Sequence, residues 1–105
     1  MAESKIVDPF TREDVTLTEW VSNNYAPYLF RMGHIYCLKG TFQPKVAITA
    51  NSTIISKNWP AGAAFQLFDN SGNVYSMYTN SSGHLFSRRN IAANTVFYIG
   101  TLFTP

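Results

Sequence analysis

The side chains that most often bind metals or act as nucleophiles are few and scattered in this chain. The two histidines, His34 and His84, each follow a glycine, and the single cysteine, Cys37, stands within an apolar run. A metal site needs clustered His, Cys or carboxylate ligands, and two histidines at separate turns form no such cluster. We therefore predict no metal site, and we interpret Cys37 as a small hydrophobic residue rather than a nucleophile.

Acid–base and acyl-transfer chemistry also lack their usual residues. Asp69 is the only carboxylate after Glu19, whereas catalysis by carboxylates commonly uses a pair. No serine lies in a G-x-S-x-G turn, and the scattered glycines form no phosphate-binding loop. The sequence predicts a protein that is not an enzyme and uses no cofactor, unless the fold brings His34 or His84 against Asp69 in a cleft.

Recognition of a ligand is the chemistry that remains. Sugar rings pack on exposed aromatic faces, while Asp, Asn, Arg and His side chains bond the hydroxyls. The candidate ligand-binding residues are Trp59, Asp69, Asn70, Asn73, His84 and Arg88. For Trp59 the alternative is a ring that caps the core or a subunit seam. For the turn residues the alternative is turn chemistry alone, and for Arg88 it is a solvated strand end.

Composition limits the classes of partner. Aromatic residues make up 15% of the 105 residues and charged residues 13%, against about 25% charged in an ordinary soluble domain. The net charge of +2 is too small to indicate nucleic acid. No apolar run approaches the length that crosses a bilayer, and no secretory signal is evident. A lone cysteine excludes an internal disulfide, so we expect folding in a cytoplasm.

Turn residues divide the chain into short apolar segments that must position these candidates. The predicted strands are Tyr28–Met32, His34–Gln43, Thr53–Lys57, Phe65–Phe68, Asn73–Thr79, His84–Arg88 and Thr95–Phe103. Asp69–Gly72 and Asn80–Gly83 predict two successive hairpin turns. The pattern indicates an all-β fold, an antiparallel β-sandwich or barrel (jelly-roll-like) of about seven to nine short strands.

The N-terminal region is less regular. Residues 1–14 are acidic and predict a linker or junction segment, followed by a single β domain over residues 15–105. Residues 15–25 fit a short strand or extended segment, with one helical turn as the alternative, because Thr16 to Glu19 also matches a helix-capping box.

A short phrase occurs twice. Ile48-Thr49-Ala50-Asn51-Ser52-Thr53-Ile54 and Ile91-Ala92-Ala93-Asn94-Thr95-Val96-Phe97 each lead into strand-type residues. Since Asn tolerates left-handed backbone angles, both copies predict a tight corner entering a strand. Two such corners suggest two similarly built halves.

Two strands carry more apolar residues than one buried face requires. Ile35–Leu38 and Val96–Ile99 are apolar without alternation, a pattern of strands covered on both faces. A domain of this size cannot cover both faces of a sheet unaided, so the pattern favours association of subunits.

A longer stretch resembles the small β domains of tailed-phage tail proteins. Tyr25 to Gly40, YAPYLFRMGHIYCLKG, is similar to their opening, in which Arg, any residue and Gly precede a long apolar strand that ends in Gly. Trp20 and the Tyr-x-Pro segment ending at Pro27 precede that strand as in this group, and Ile91–Thr95 before a terminal strand is also similar. The chain departs at Asn58–Pro60, where Leu-Pro is more usual.

The resemblance, which covers about residues 20–103, implies a head of a baseplate or tail-fibre protein. Such heads are homotrimers that contact other tail or baseplate proteins, bind host cell-wall saccharides and belong to the virion, assembled in the host cytoplasm. Two alternatives stay open: a purely architectural baseplate protein, and a monomeric carbohydrate-binding module of a bacterial glycan-degrading enzyme.

Overall fold

The computed structural model describes residues 11–13, 16–17 and 28–105. These residues form nine strands and no helix: β1 (Thr11–Glu13), β2 (Thr16–Leu17), β3 (Tyr28–Met32), β4 (Ile35–Phe42), β5 (Ser56–Lys57), β6 (Ala64–Phe68), β7 (Val74–Thr79), β8 (Leu85–Ser87) and β9 (Phe97–Phe103). Accordingly, the described part of the chain contains no helix that is long and apolar enough to span a bilayer.

The strands form two antiparallel sheets. The first sheet has the order β1-β3-β4-β9, and the second has the order β2-β5-β8-β7-β6. In the second sheet β6, β7 and β8 follow one another as hairpins while β5 lies beside β8, which is a Greek-key arrangement. The sheets meet at one corner, where Asp69 after β6 bridges Phe97 of β9.

Both sheets contribute to one core, so the fold is sandwich-like. Leu29, Leu38 and Phe97 of the first sheet and Met77 of the second are almost fully buried in the same cluster. Alternation in β6 and β7 places every second side chain inward, as expected for strands with one covered face. The fold class predicted from the sequence, all-β and antiparallel, is confirmed at this level.

The two copies of the repeated phrase pair with each other. The first begins on the connection from β4 to β5 and the second on the connection from β8 to β9. Each copy therefore lies where the chain crosses from one sheet to the other. Ile48 N–H donates to Ile91 O at 2.8 Å, and Ile91 N–H donates to Ile48 O at 2.9 Å. Both side chains are buried.

The corners that follow are related by an approximate two-fold axis. Asn51 N–H donates to Ser87 O and Asn94 N–H donates to Pro44 O, each at 2.8 Å. Asn51 and Asn94 have φ angles of 62° and 66°, in the left-handed region that Asn adopts more readily than most residues. The predicted corners are thus confirmed, together with a pairing between them that the sequence did not reveal.

Each strand predicted from residue 28 onward overlaps an observed one, with shifted ends. Thr53–Lys57 is reduced to β5, because Thr53 N–H donates to Thr49 O and the Thr53 hydroxyl accepts from Thr49 N–H within the corner. Within 15–25 only Thr16 and Leu17 are described, and they are extended; the rest of that segment lies outside the described residues.

The predicted linker, residues 1–14, is described at Thr11–Glu13 alone. There the backbone pairs with β3, so this part of the acidic segment belongs to the first sheet. The linker assignment of residues 1–10 falls on residues outside the described ranges and stays a prediction.

Gly83 allows the chain to pass close to Trp59. A Cβ at Gly83 would lie 2.5 Å from Trp59 O, and φ is +74°. We expect Gly83→Ala to lower the free energy of unfolding by about 2–4 kcal/mol, from left-handed strain and a backbone clash. Gly72→Ala is the matched control: φ is +86° with open space around the position, so only the strain, about 1 kcal/mol, applies. Urea unfolding measures both; equal losses would contradict the clash.

Left-handed backbone at Asn94 leads to a second prediction. Asn94→Gly removes any strain at φ 66° and should leave the free energy of unfolding within about 0.5 kcal/mol. Asn94→Val places a β-branched residue in that region and should cost about 1–2 kcal/mol. Thermal and urea unfolding of both variants test this. A valine variant as stable as the glycine variant would show that the left-handed backbone at Asn94 does not limit which residue fits there.

Candidate ligand-binding surface

The outer face of the second sheet carries aromatic and polar side chains in adjacent positions. Because Tyr75, Met77 and Thr79 of β7 are buried, Ser76 and Tyr78 point outward. The alternation of β8 does the same for Phe86. We call the outward group formed by Gln66, Ser76, Tyr78, Phe86 and Arg88 the aromatic–cationic face.

Strand register brings the rings of this face together. Tyr78 lies directly opposite Phe86, and their rings stack with centroids 5.5 Å apart at an interplanar angle of 22°. The Arg88 guanidinium carbon lies 4.2 Å from the centroid of the Tyr78 ring, a cation–π distance. Tyr78 OH donates to Asn51 Oδ1 at 3.1 Å, which fixes the phenol against the first corner.

An open depression of about 350 Å³ lies beside these rings, between β6, β7 and the residue after β8. It is lined by Ala64, Phe65, Gln66, Ser76, Met77 and Arg88. Its wall therefore supplies an amide, a hydroxyl and a guanidinium next to two half-buried rings. This combination suits a polar ligand that has both hydroxyl groups and an apolar flat side.

The electrostatic character of the face is positive. Asp69 is the only side-chain carboxylate in residues 28–105, and its oxygens are engaged in the β6–β7 turn. Arg88 is exposed, and so is Lys57 on the adjacent β5. A ligand with a carboxylate or phosphate group would find no competing acid on this face among the described residues.

Asp69 organises the turn between β6 and β7. Its Oδ1 accepts from Ser71 N–H at 2.9 Å and from Asn73 N–H at 2.8 Å. Its Oδ2 accepts from Asn73 Nδ2 at 2.9 Å and from Tyr75 OH at 3.1 Å. The Asn73 side chain contributes most to holding the pKa of Asp69 below its ordinary value, with partial burial acting in the opposite direction.

This turn is thus accounted for by its own hydrogen bonds. Four donors occupy the acceptor positions of the Asp69 carboxylate. Asp69 and Asn73 therefore hydrogen-bond to each other within the turn. Asn70 is exposed, and its N–H donates to Val96 O at 2.9 Å. Burial is the main cause that raises the pKa of Tyr75, ahead of its hydrogen bond to Asp69.

Trp59 lies in the core rather than on the surface. Its side chain is 5% exposed and stacks on Phe65 and Phe103 at centroid distances of 5.7 and 6.3 Å. The structure therefore places the ring in the core-capping position that was the alternative to an exposed platform. Its Nε1 is buried without a hydrogen-bond partner among the described residues.

Of the six sequence-predicted site residues, two flank one strand. His84 directly precedes β8 and Arg88 directly follows it, and His84 N–H donates to Asn80 Oδ1 at 3.0 Å. Asp69, Asn70 and Asn73 sit at the opposite end of β7 from Tyr78. Sequence analysis missed Tyr78 and Phe86, whose signal was the alternation of inward and outward residues in β7 and β8.

None of the described hydrogen bonds joins His34 or His84 to Asp69. Asp69 is bonded to turn residues, and His34 lies at the β3–β4 turn in a separate depression of about 390 Å³ with Arg31 and Tyr36. Within the described ranges, no group of three or more His, Cys, Asp or Glu residues could hold a metal ion.

Comparison with protein-family models, curated protein sequences and solved structures finds no match. Functional inference therefore rests on the chemistry of this chain's own surfaces.

The lowered pKa of Asp69 predicts a pH dependence of stability. A carboxylate whose pKa is lower in the folded state contributes its full stability above the unfolded value of about 3.9 and loses it as the pH falls through the folded value. We expect the urea midpoint of the wild type to fall more steeply below about pH 5 than that of Asp69→Asn. The two should differ most near neutral pH and converge in acid; parallel profiles would contradict this.

Proposed function

We propose that this chain is a non-enzymatic module of a phage tail or baseplate, a receptor-binding head that attaches to a saccharide of the host cell surface. The observation that carries the proposal is the aromatic–cationic face, where the Tyr78–Phe86 stack adjoins a depression lined by Gln66, Ser76 and Arg88. This face replaces Trp59 as the proposed aromatic contact.

Saccharide chemistry fits this face for a physical reason. A pyranose ring has an apolar side of C–H bonds that packs against an aromatic side chain, and its hydroxyls need donors and acceptors at the rim. Gln66 offers both in one amide, Ser76 offers a hydroxyl, and Arg88 offers several donors. The site is open, as binding to a chain-like polymer requires.

The assembly part of the proposal follows from the exposed apolar residues of the first sheet. We propose a homotrimer within the virion, made in the host cytoplasm and in contact with other tail or baseplate proteins, with the sheets as a jelly-roll-like sandwich. The absence of alternation in β4 supports contact between subunits. The stretch from Tyr25 to Gly40 resembles phage tail domains, and this resemblance supports a location in the virion.

Two other functions would use the same fold. An architectural baseplate protein would associate but bind no glycan. A carbohydrate-binding module of a bacterial glycan-degrading enzyme would bind a glycan as a monomer. Glycan binding and molar mass, measured on the same preparation, separate the three.

Glycan binding is tested first on an array of bacterial cell-surface saccharides and then by calorimetry with the tightest-binding one. We expect Tyr78→Ala and Phe86→Ala each to weaken binding about fivefold, since loss of a stacking ring costs on the order of 1 kcal/mol. The matched control is Phe68→Ala, which removes an exposed ring near the other end of the same outer face.

The control variant should bind as the wild type does. Tyr78→Phe keeps the ring and loses only the bond to Asn51, so it should retain most of the affinity. Unchanged binding in both alanine variants would remove the aromatic–cationic face from the proposal. No binding to any saccharide would favour the architectural function.

A further inference from the structure

The described outer face of β3, β4 and β9 carries several exposed apolar side chains. Its outward side chains on β3, β4 and β9 include Phe30, Met32, Ile35, Cys37, Tyr98 and Leu102, which we call the apolar face. Leu102 and Tyr98 are 67% and 65% exposed, and Met32 and Ile35 are each 40% exposed. Four large apolar side chains on one sheet face therefore remain in water in the single chain.

Strand register makes five of these six side chains neighbours, while Tyr98 lies farther along β9, opposite Thr41. Cys37 lies opposite Phe30 on one side and opposite Leu102 on the other, which forms a row across three strands. Met32 pairs with Ile35 at one end of that row. Contiguous apolar surface of this kind marks an interaction site more often than scattered exposed residues do.

The inner face of the same strands packs in the core. Leu38 and Phe42 of β4 and Phe97 and Phe103 of β9 are buried in the core. The unbroken apolar run in β4 thus divides into residues that fill the core and residues, such as Ile35, that the single chain leaves exposed. Both faces of β4 therefore carry apolar side chains, as in strands that are covered on both sides.

The shape and size of the face suit a protein partner. Three strands spaced about 4.8 Å apart, with about 3.3 Å per residue, give a flat area of roughly 15 by 25 Å. Protruding side chains add to this area, which lies at the small end of the range for specific interfaces.

The scarcity of charged side chains on this face indicates which kind of protein could bind it. Among the described outward side chains of β3, β4 and β9, Lys39 is the only charged one. A partner with its own charges would lose their hydration against this face without gaining a counter-charge. Other copies bring the same apolar residues, and in a trimer three such faces meet around the common axis.

We propose that the apolar face is the contact between copies of this chain. The inference deepens the assembly part of the proposed function and rests on it, but not on saccharide binding. Residues at the centre of the contact, Cys37 and Leu102, become buried on association, while the aromatic–cationic face on the opposite sheet stays open.

Molar mass by light scattering, over a range of concentrations, tests the contact. We expect the wild type to be an oligomer and Leu102→Glu to be a monomer with an unchanged circular dichroism spectrum. Phe68→Glu is the matched control: it places the same charge at a 51% exposed aromatic position on the other sheet, and it should leave the mass unchanged. Tyr98→Glu provides a second disrupting variant if Leu102→Glu does not fold.

The single cysteine reports burial at the same contact. Cys37 is a free thiol, so its reaction with a maleimide measures access to the middle of the apolar face. We expect at least tenfold slower labelling in the wild type at concentrations where it is associated than in Leu102→Glu.

Three outcomes would overturn the proposal. The first is a monomeric wild type, whether Cys37 labels fast or is covered by other residues of its own chain. The second is an oligomer that Phe68→Glu dissociates and Leu102→Glu does not. The third is an oligomer in which Cys37 labels as fast as in the monomer. Loss of saccharide binding with the mass unchanged would count against the aromatic–cationic face alone.

Discussion

The two main-chain hydrogen bonds between Ile48 and Ile91 hold together the two places where the chain crosses between the sheets. One crossing leads from β4 into β5 and the other from β8 into β9, so each sheet is tied to the other through this pair. Bridges between long-range segments close large loops, and their entropic cost is offset here by burial of both isoleucines.

Because charged residues are few, aromatic side chains occupy both the core and the surface of the molecule. With aromatic residues more frequent than charged ones, the core cannot hold every ring. The inward rings, such as Phe97 against Phe42 and Tyr75, form the core. Outward rings occur on both sheets: Tyr78 and Phe86 lie beside polar and cationic groups, whereas Phe30 lies opposite Cys37 in a row with Leu102. The first arrangement suits a hydroxylated ligand, and the second suits another apolar surface.

Local chemistry made most of the fold predictable. Asx and Gly residues mark turns because of their backbone preferences, so the hairpins around Asp69 and Asn80 and the corners at Asn51 and Asn94 could be located from sequence. The contacts that the sequence did not predict depend on which strands become neighbours. The pairing of the two corners, the burial of Trp59 under Phe65 and Phe103, and the stack of Tyr78 on Phe86 all join residues whose contact is set by the order of strands in the sheets.

The two outer faces lie on different sheets, each on the side away from the shared core, and this separation links the two proposals. Copies that meet through the apolar face of the first sheet leave the second sheet of each copy open. A single shallow site with two rings and a few polar groups binds a glycan weakly, because little of the ligand is buried. Several such sites held in one rigid assembly act together on a polymeric surface, and the effective concentration of the second site multiplies the affinity of the first. Under the two proposals, association through one face would make weak recognition through the other sufficient for adhesion.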